Sequence, residues 1–223
     1  FYKTDCTSIQ FEKEGENWVI QWKQEDRIET QKTRTIIAAL PAYEAAKLFK
    51  PFVSNVTALE QTQYPPLAVL HLGMKQNDSK NNLDGFGFLS GVHDNGFLLG
   101  CLWSSSAFQN RAPDSEILLT CFAGGSVHPE ILKYSDEDLM EKGKHDLKEL
   151  LFSVPQPSLT QVTKHTRALP QYSLGHRRRI TELQKELEEQ HNIFLVGNYL
   201  DGISVNATMK QAMTTVKTMY AAT

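Results

Sequence analysis

The sequence predicts an α+β to α/β protein in which a domain of mixed sheet and helices is inserted between two parts of one nucleotide-binding layer. Three observations predict it. Each end of the chain carries a short apolar strand that runs directly into a helix pattern. The middle carries several strand-like runs parted by Asn and Gly turns, followed by helices. The 223 residues, 40% of them hydrophobic, suffice for one large core or two smaller ones. The expected borders give 1–50 and 191–223 to the nucleotide-binding layer and 51–190 to the inserted domain.

The elements follow in order. Ile9 and Phe11 fit one strand, and Trp18, Ile20 and Trp22 alternate in the next, with a hairpin turn at Glu14-Gly15-Glu16-Asn17 between them. Residues 35–40 read as a buried strand, Pro41 as a helix start and 42–49 as a helix. After Tyr64-Pro65-Pro66, strands are expected at 67–74, 86–90, 96–102 and 116–124. Ser135, with Asp138 three positions on, resembles a capping box opening a helix. Its Leu139, Gly143, Leu147, Leu150 and Leu151 lie on one face. A strand at 159–165 and a charged helix with Ile180, Leu183 and Leu187 inward come next. The chain closes on strand 193–197 and helix 205–220, where Val205, Met209, Ala212, Met213 and Val216 recur at helical spacing.

Bulk properties exclude several function classes. A net charge of −3 gives no broad attraction to nucleic acid. No apolar run approaches the roughly 20 residues of a membrane span, and no signal-peptide pattern opens the sequence. Three cysteines without C-x-x-C spacing argue against a disulfide framework or a zinc site and point to a reducing compartment. Phe1 opens straight into strand-like sequence, so a piece of a longer protein, cut upstream, is expected.

The candidate sites are few. The junction from Gly197 to Val205 ends a strand on glycine, turns at Asp201-Gly202 and opens a helix. It is either an ordinary connection or a place where backbone N–H groups and a helix dipole meet an electron-rich ligand edge, with Gly202 permitting close approach. Asp84-Gly85-Phe86-Gly87-Phe88 lacks a third glycine and a following helix, so it reads as a glycine-kinked strand and not as a dinucleotide fingerprint. Leu89, Leu102 and Phe122 either line a pocket for a flat apolar ligand or fill a core. The seven histidines form no metal-binding pair; His165, beside a turn, is the one to watch. His176-Arg177-Arg178-Arg179 reads as a solvated helix start. No nucleophile elbow or acid–base pair is present, so no catalytic residue is named, and a cofactor would carry any chemistry.

Six segments stand in order along the chain: YPPLAVLHLG (64–73), GFGFL (85–89), LLGCLWSSSAFQNRAP (98–113), LLTCFAGG (118–125), ALPQYSLGH (168–176) and FLVGNYLDGISV (194–205). Together they resemble the C-terminal half of the protoporphyrinogen oxidase family. The last segment is shared with the wider flavin amine oxidase superfamily. The resemblance implies an FAD enzyme of haem biosynthesis whose phosphate-binding loop lies in a missing N-terminal half, the two parts of the layer being FAD-binding and the insertion substrate-binding. It implies that Asn198, Ile203, Ser204 and Val205, with Gly202, approach FAD. It places Cys6 where the family has a valine contacting the adenosine part, and His165 where many members carry tryptophan close to the flavin. It implies that Leu89 and Leu102 clamp the tetrapyrrole while Phe122 packs on a pyrrole ring.

The function expected from the resemblance is oxidation of protoporphyrinogen to protoporphyrin with FAD, the isolated chain being inactive. Coproporphyrinogen as substrate and a non-catalytic tetrapyrrole-binding module are the alternatives. A cytoplasmic location is expected, with peripheral membrane association and a homodimer left open.

Overall fold

The computed structural model describes residues 6–14, 17–24, 27–76, 83–91, 96–151, 156–190 and 192–221. The hairpin tip expected at Gly15-Glu16 lies outside them. In chain order the elements are β1 (Cys6–Glu14), β2 (Asn17–Gln24), β3 (Arg27–Thr33), β4 (Ile36–Ala38), α1 (Ala42–Phe49), α2 (Thr57–Glu60) and β5 (Leu67–Lys75). Then come β6 (Gly87–Leu89), β7 (Leu98–Trp103), α3 (Ser104–Ala107), β8 (Glu116–Gly124), a 3-10 turn (Ile131–Lys133) and α4 (Asp136–Leu151). The chain ends with β9 (Leu159–His165), α5 (His176–Glu189), β10 (Ile193–Leu195) and α6 (Val205–Ala221). None of the described helices is long and apolar enough to cross a membrane.

The chain divides into two units, one of residues 1–63 and 170–223, the other of residues 64–169. The first unit joins both chain ends. β4 and β10 pair in parallel, Ile193 opposite Ile36 and Leu195 opposite Ala38, and all four of these residues are buried. Such a parallel pair needs a long crossover connection, and the intervening sequence supplies it. After β4, the Pro41 carbonyl accepts the N–H groups of Glu44 and Ala45, each at 3.0 Å, and α1 buries Ala42, Ala45, Ala46 and Phe49. β1, β2 and β3 form an antiparallel sheet in that order. Trp18 of β2 is buried and meets Phe52 edge-on at 5.4 Å between ring centroids.

The borders of this unit differ from the expected 50/51 and 190/191. Helix α5 buries Ile180, Leu183 and Leu187, and the Glu186 carboxylate accepts hydrogen bonds from the Ser54 hydroxyl (2.7 Å) and the Asn55 N–H (3.0 Å). The Gln171 N–H donates to the Gln63 carbonyl at 2.8 Å. These ties keep residues 51–63 and 170–190 with the first unit.

The second unit is a five-stranded antiparallel sheet in the order β6-β7-β8-β5-β9, with α4 on one face. Ala68, Leu70, Leu72 and Met74 of β5 alternate toward that face, joined by Ile117, Leu119, Cys121 and Ala123 of β8, and α4 adds Leu139, Met140 and Leu147. Gly143 brings helix and sheet close: a Cβ there would stand 2.8 Å from Leu70 Cδ2. At the helix start Ser135 caps as expected, its Oγ accepting the Asp138 N–H (3.0 Å) and donating to the Asp138 carboxylate (2.9 Å). Leu70 is fully buried, so Leu70→Ala is expected to destabilise the fold by about 2–5 kcal/mol. Urea unfolding checks this.

Cys101 and Cys121, far apart in sequence, are register partners on β7 and β8. Both are free and buried, and the Cys121 thiol donates to Cys101 Sγ at 3.4 Å. That hydrogen bond, and after it burial, push the Cys121 thiol up, away from the reactive thiolate. Alkylation of the native protein is expected to spare both cysteines, and unfolding to expose them. Peptide mass spectrometry reads the difference.

Candidate functional site

The first candidate is the turn that links β10 to α6. Leu200 donates its N–H to the Gly197 carbonyl at 3.2 Å, and the Gly197 N–H donates to Gln211 Oε1 of α6 at 3.1 Å. Gly202 then turns the chain with φ +105°, a conformation that favours glycine. Ser204 caps α6: its Oγ accepts the Ala207 N–H at 3.1 Å, and its carbonyl accepts the Thr208 N–H at 3.0 Å. The N–H groups of Ile203, Ser204, Val205 and Asn206 take no acceptor among the described residues. Ile203 and Val205 are exposed, at 45% and 75%. Unfilled donors at the start of a 17-residue helix suit an electron-rich ligand edge.

The turn is fastened by two side chains, Tyr172 and His176. Tyr172 Oη donates to the Asn198 carbonyl at 2.6 Å and accepts the Gly202 N–H at 2.8 Å. The Gly202 amide is therefore occupied, and what Gly202 offers a ligand is its missing side chain. His176 stacks on Tyr172, with ring centroids 4.3 Å apart and planes 11° from parallel. Its Nε2–H donates to the Tyr199 carbonyl at 2.6 Å. Against the expectation of a solvated helix start, His176 is 4% exposed and belongs to the turn. Of the neighbouring arginines, Arg178 is exposed and pairs with Glu182 at 2.8 Å, while half-buried Arg179 holds the Leu174 carbonyl at 2.9 Å. Burial, with Asp201 adding to it, raises the Tyr172 phenol above the ordinary tyrosine range. It is thus a protonated phenol that bridges the turn at neutral pH. The clue in the sequence was the motif ALPQYSLGH itself, whose Tyr172 and His176 stand four apart at a helix start.

Cys6, also in this unit, opens β1 opposite Gln24.

The second candidate is the sheet face of the second unit that turns away from α4. Residues directly opposite in an antiparallel sheet share a face. One row across the five strands reads Leu89, Gly100, Phe122, Val69, Thr163; the adjacent row reads Gly87, Leu102, Thr120, His71, Gln161. Leu89, Leu102 and Phe122 therefore stand together. Leu89 is 90% exposed, Leu102 and Phe122 half-buried, so none of the three is a core residue. Gly100 leaves space for Leu89: a Cβ there would stand 3.0 Å from Leu89 Cδ2. Gly87 has φ +134°, and its Cβ would run into the Cys101 carbonyl, which accounts for the glycine-kinked strand. The second row is polar within. The Thr120 hydroxyl meets His71 Nδ1 at 3.1 Å and the Ser104 hydroxyl at 2.7 Å. His165 ends β9 opposite Leu67, and it is exposed. No cluster of His, Cys, Asp and Glu among the described residues is placed to hold a metal ion.

Residues 1–217 match the flavin containing amine oxidoreductase family. The chain belongs to that family. FAD is the cofactor this assigns, and the turn fits it: the open amides at the start of α6 and the bare Cα of Gly202 would meet the electron-rich edge of an isoalloxazine ring. Among relatives, the chloroplastic protoporphyrinogen oxidase of Nicotiana tabacum is 29% identical over 191 residues, covering 81% of this chain and 35% of that protein. The coproporphyrinogen III oxidase of Bacillus subtilis is 24% identical over 185 residues, covering 82% of this chain and 39% of that protein. This family member thus spans less than half the length of the relatives it matches. A crystal structure from Exiguobacterium sp. 255-15, named for protoporphyrinogen oxidase, superposes with a TM-score of 0.80 at 19% identity, covering 99% of this chain and 47% of that one. It shows the shared fold.

Proposed function

We propose that this chain supplies the substrate face and the flavin turn of an FAD-dependent oxidase that converts protoporphyrinogen IX to protoporphyrin IX. The observation that carries the reading is the placement of Leu89, Leu102 and Phe122 side by side on one open sheet face. A tetrapyrrole is a broad apolar macrocycle, and apolar side chains gathered on one sheet face can lie against it and exclude water beneath it. The match to the tobacco enzyme supports the reaction class. FAD, when bound, would supply the redox chemistry by accepting electron pairs from the porphyrinogen, with oxygen or another acceptor reoxidising it. This chain's residues bind and orient: the face holds the macrocycle, and the start of α6 offers partial positive charge where the ring gains electrons. Ile203, Ser204 and Val205 take the ring edge through backbone amides, Asn198 sets the turn, Cys6 stands at the adenosine side and His165 at the rim of the substrate sheet. The phosphate-binding part belongs to sequence outside this chain.

A second reading keeps the chemistry and changes the substrate to coproporphyrinogen III, which the resemblance to the Bacillus subtilis enzyme favours. Porphyrin fluorescence with each porphyrinogen and the FAD-loaded protein separates the two. Faster turnover of protoporphyrinogen supports the first, and faster turnover of coproporphyrinogen the second. A full-length, FAD-loaded protein that oxidises neither would leave a tetrapyrrole-binding module.

A further inference from the structure

We propose that Tyr172 is a positioning residue for the cofactor, its phenol holding the 198–202 turn in the shape that presents the α6 amides to the flavin. The inference rests on the reading of that turn as the FAD site. One oxygen atom ties both sides of the turn, donating to the Asn198 carbonyl at 2.6 Å and accepting the Gly202 N–H at 2.8 Å. A phenol is a donor and an acceptor at once, and no other side chain of that size and planarity bridges a carbonyl and an amide in this way. The hydroxyl also closes off the Gly202 amide, so the groups left for a ligand begin at Ile203.

The phenol is itself held. The ring lies on His176 at 4.3 Å, and His176 is fixed by its bond to the Tyr199 carbonyl. Tyr172 follows Gln171, whose N–H is anchored on Gln63. Arg179 steadies the segment between, through the Ser173 hydroxyl at 2.7 Å and the Leu174 carbonyl. So much support for a phenol that is itself 43% exposed is more than packing requires. Among the described residues, His176 Nδ1 is buried without a hydrogen-bond partner, so there the imidazole serves the Tyr199 carbonyl and the stack. Alternate shapes of the turn would aim the amides of Ile203, Ser204 and Val205 differently, and hydrogen bonds weaken steeply with angle.

Tyr172→Phe tests this, because it removes the bridging oxygen and keeps the ring on His176. FAD titration of the holoprotein and of the variant, with the visible flavin spectrum and the KM for protoporphyrinogen at saturating FAD, gives the readouts. The expected result is an FAD Kd raised about tenfold, which is about 1.4 kcal/mol, an altered visible flavin band, and an unchanged KM. General damage to the fold would raise the KM as well and lower the melting temperature of the apoprotein, and that pattern overturns the inference. A variant with native FAD affinity and native spectrum overturns it too, while leaving the flavin reading intact. A full-length native protein, including the phosphate-binding part outside this chain, that binds no FAD overturns both.

Discussion

Gly202→Val is expected to empty the protein of FAD. Gly202 sits at φ +105°, where a β-branched residue is strained by about 1–3 kcal/mol. A Cβ at this position would also stand 2.6 Å from the Ala207 Cβ, an atom fixed directly to the helix backbone. The turn must open or α6 must shift, and either breaks the hydrogen bond from the Gly202 amide to Tyr172. With the amides misaimed, FAD affinity should fall by at least about a hundredfold, equivalent to roughly 2.8 kcal/mol. The ratio of flavin to protein absorbance after purification measures it. Full flavin occupancy in the variant would remove Gly202 from the site.

Phe122→Ala should act on substrate and leave the cofactor alone. Phe122 lies on the open face between Gly100 and Val69, while its chain neighbours Cys121 and Ala123 fill the core. Loss of the ring removes an apolar and stacking contact of about 1–3 kcal/mol with a bound macrocycle. The KM for protoporphyrinogen should rise about tenfold to a hundredfold, with FAD occupancy unchanged. A KM that stays put would mean that the macrocycle does not rest on this face. The contrast with Leu70→Ala is informative: that change digs into the core and costs stability, whereas Phe122→Ala costs binding.

Periodicity showed most of the second unit in advance, because its strands bury one face and alternate accordingly: Ala68, Leu70, Leu72 and Met74 in, Val69 and His71 out. It missed β3. Arg27 to Lys32 are exposed at every position, so the strand carries no apolar alternation and is held by its backbone pairing with β2. It also gave α6 an apolar stripe without saying where the stripe faces. Val205, Met209, Met213 and Val216 are all more than 40% exposed, since periodicity records only that such residues share a side.

The site was legible in a different way. Leu89, Leu102 and Phe122 stand on three strands, and nothing in the chain reveals sheet neighbours; resemblance brought them together, and register explains how. Gly202 was visible as a turn glycine, but its amide partner Tyr172 lies 30 positions earlier. His176 was hidden among arginines, where charge masked a buried ring. Side chains that fasten one loop to another leave no local pattern, so Tyr172 and His176 emerge only from the fold.

The most direct test is anaerobic mixing of the FAD-loaded protein with protoporphyrinogen IX while the flavin and porphyrin absorption bands are followed together. The account predicts that the oxidised flavin band bleaches on mixing, since each flavin accepts one electron pair, and that the porphyrin band grows once air is admitted and reoxidises the flavin, because porphyrin formation removes more than one such pair. A flavin that stays oxidised while the porphyrinogen remains unchanged would contradict it.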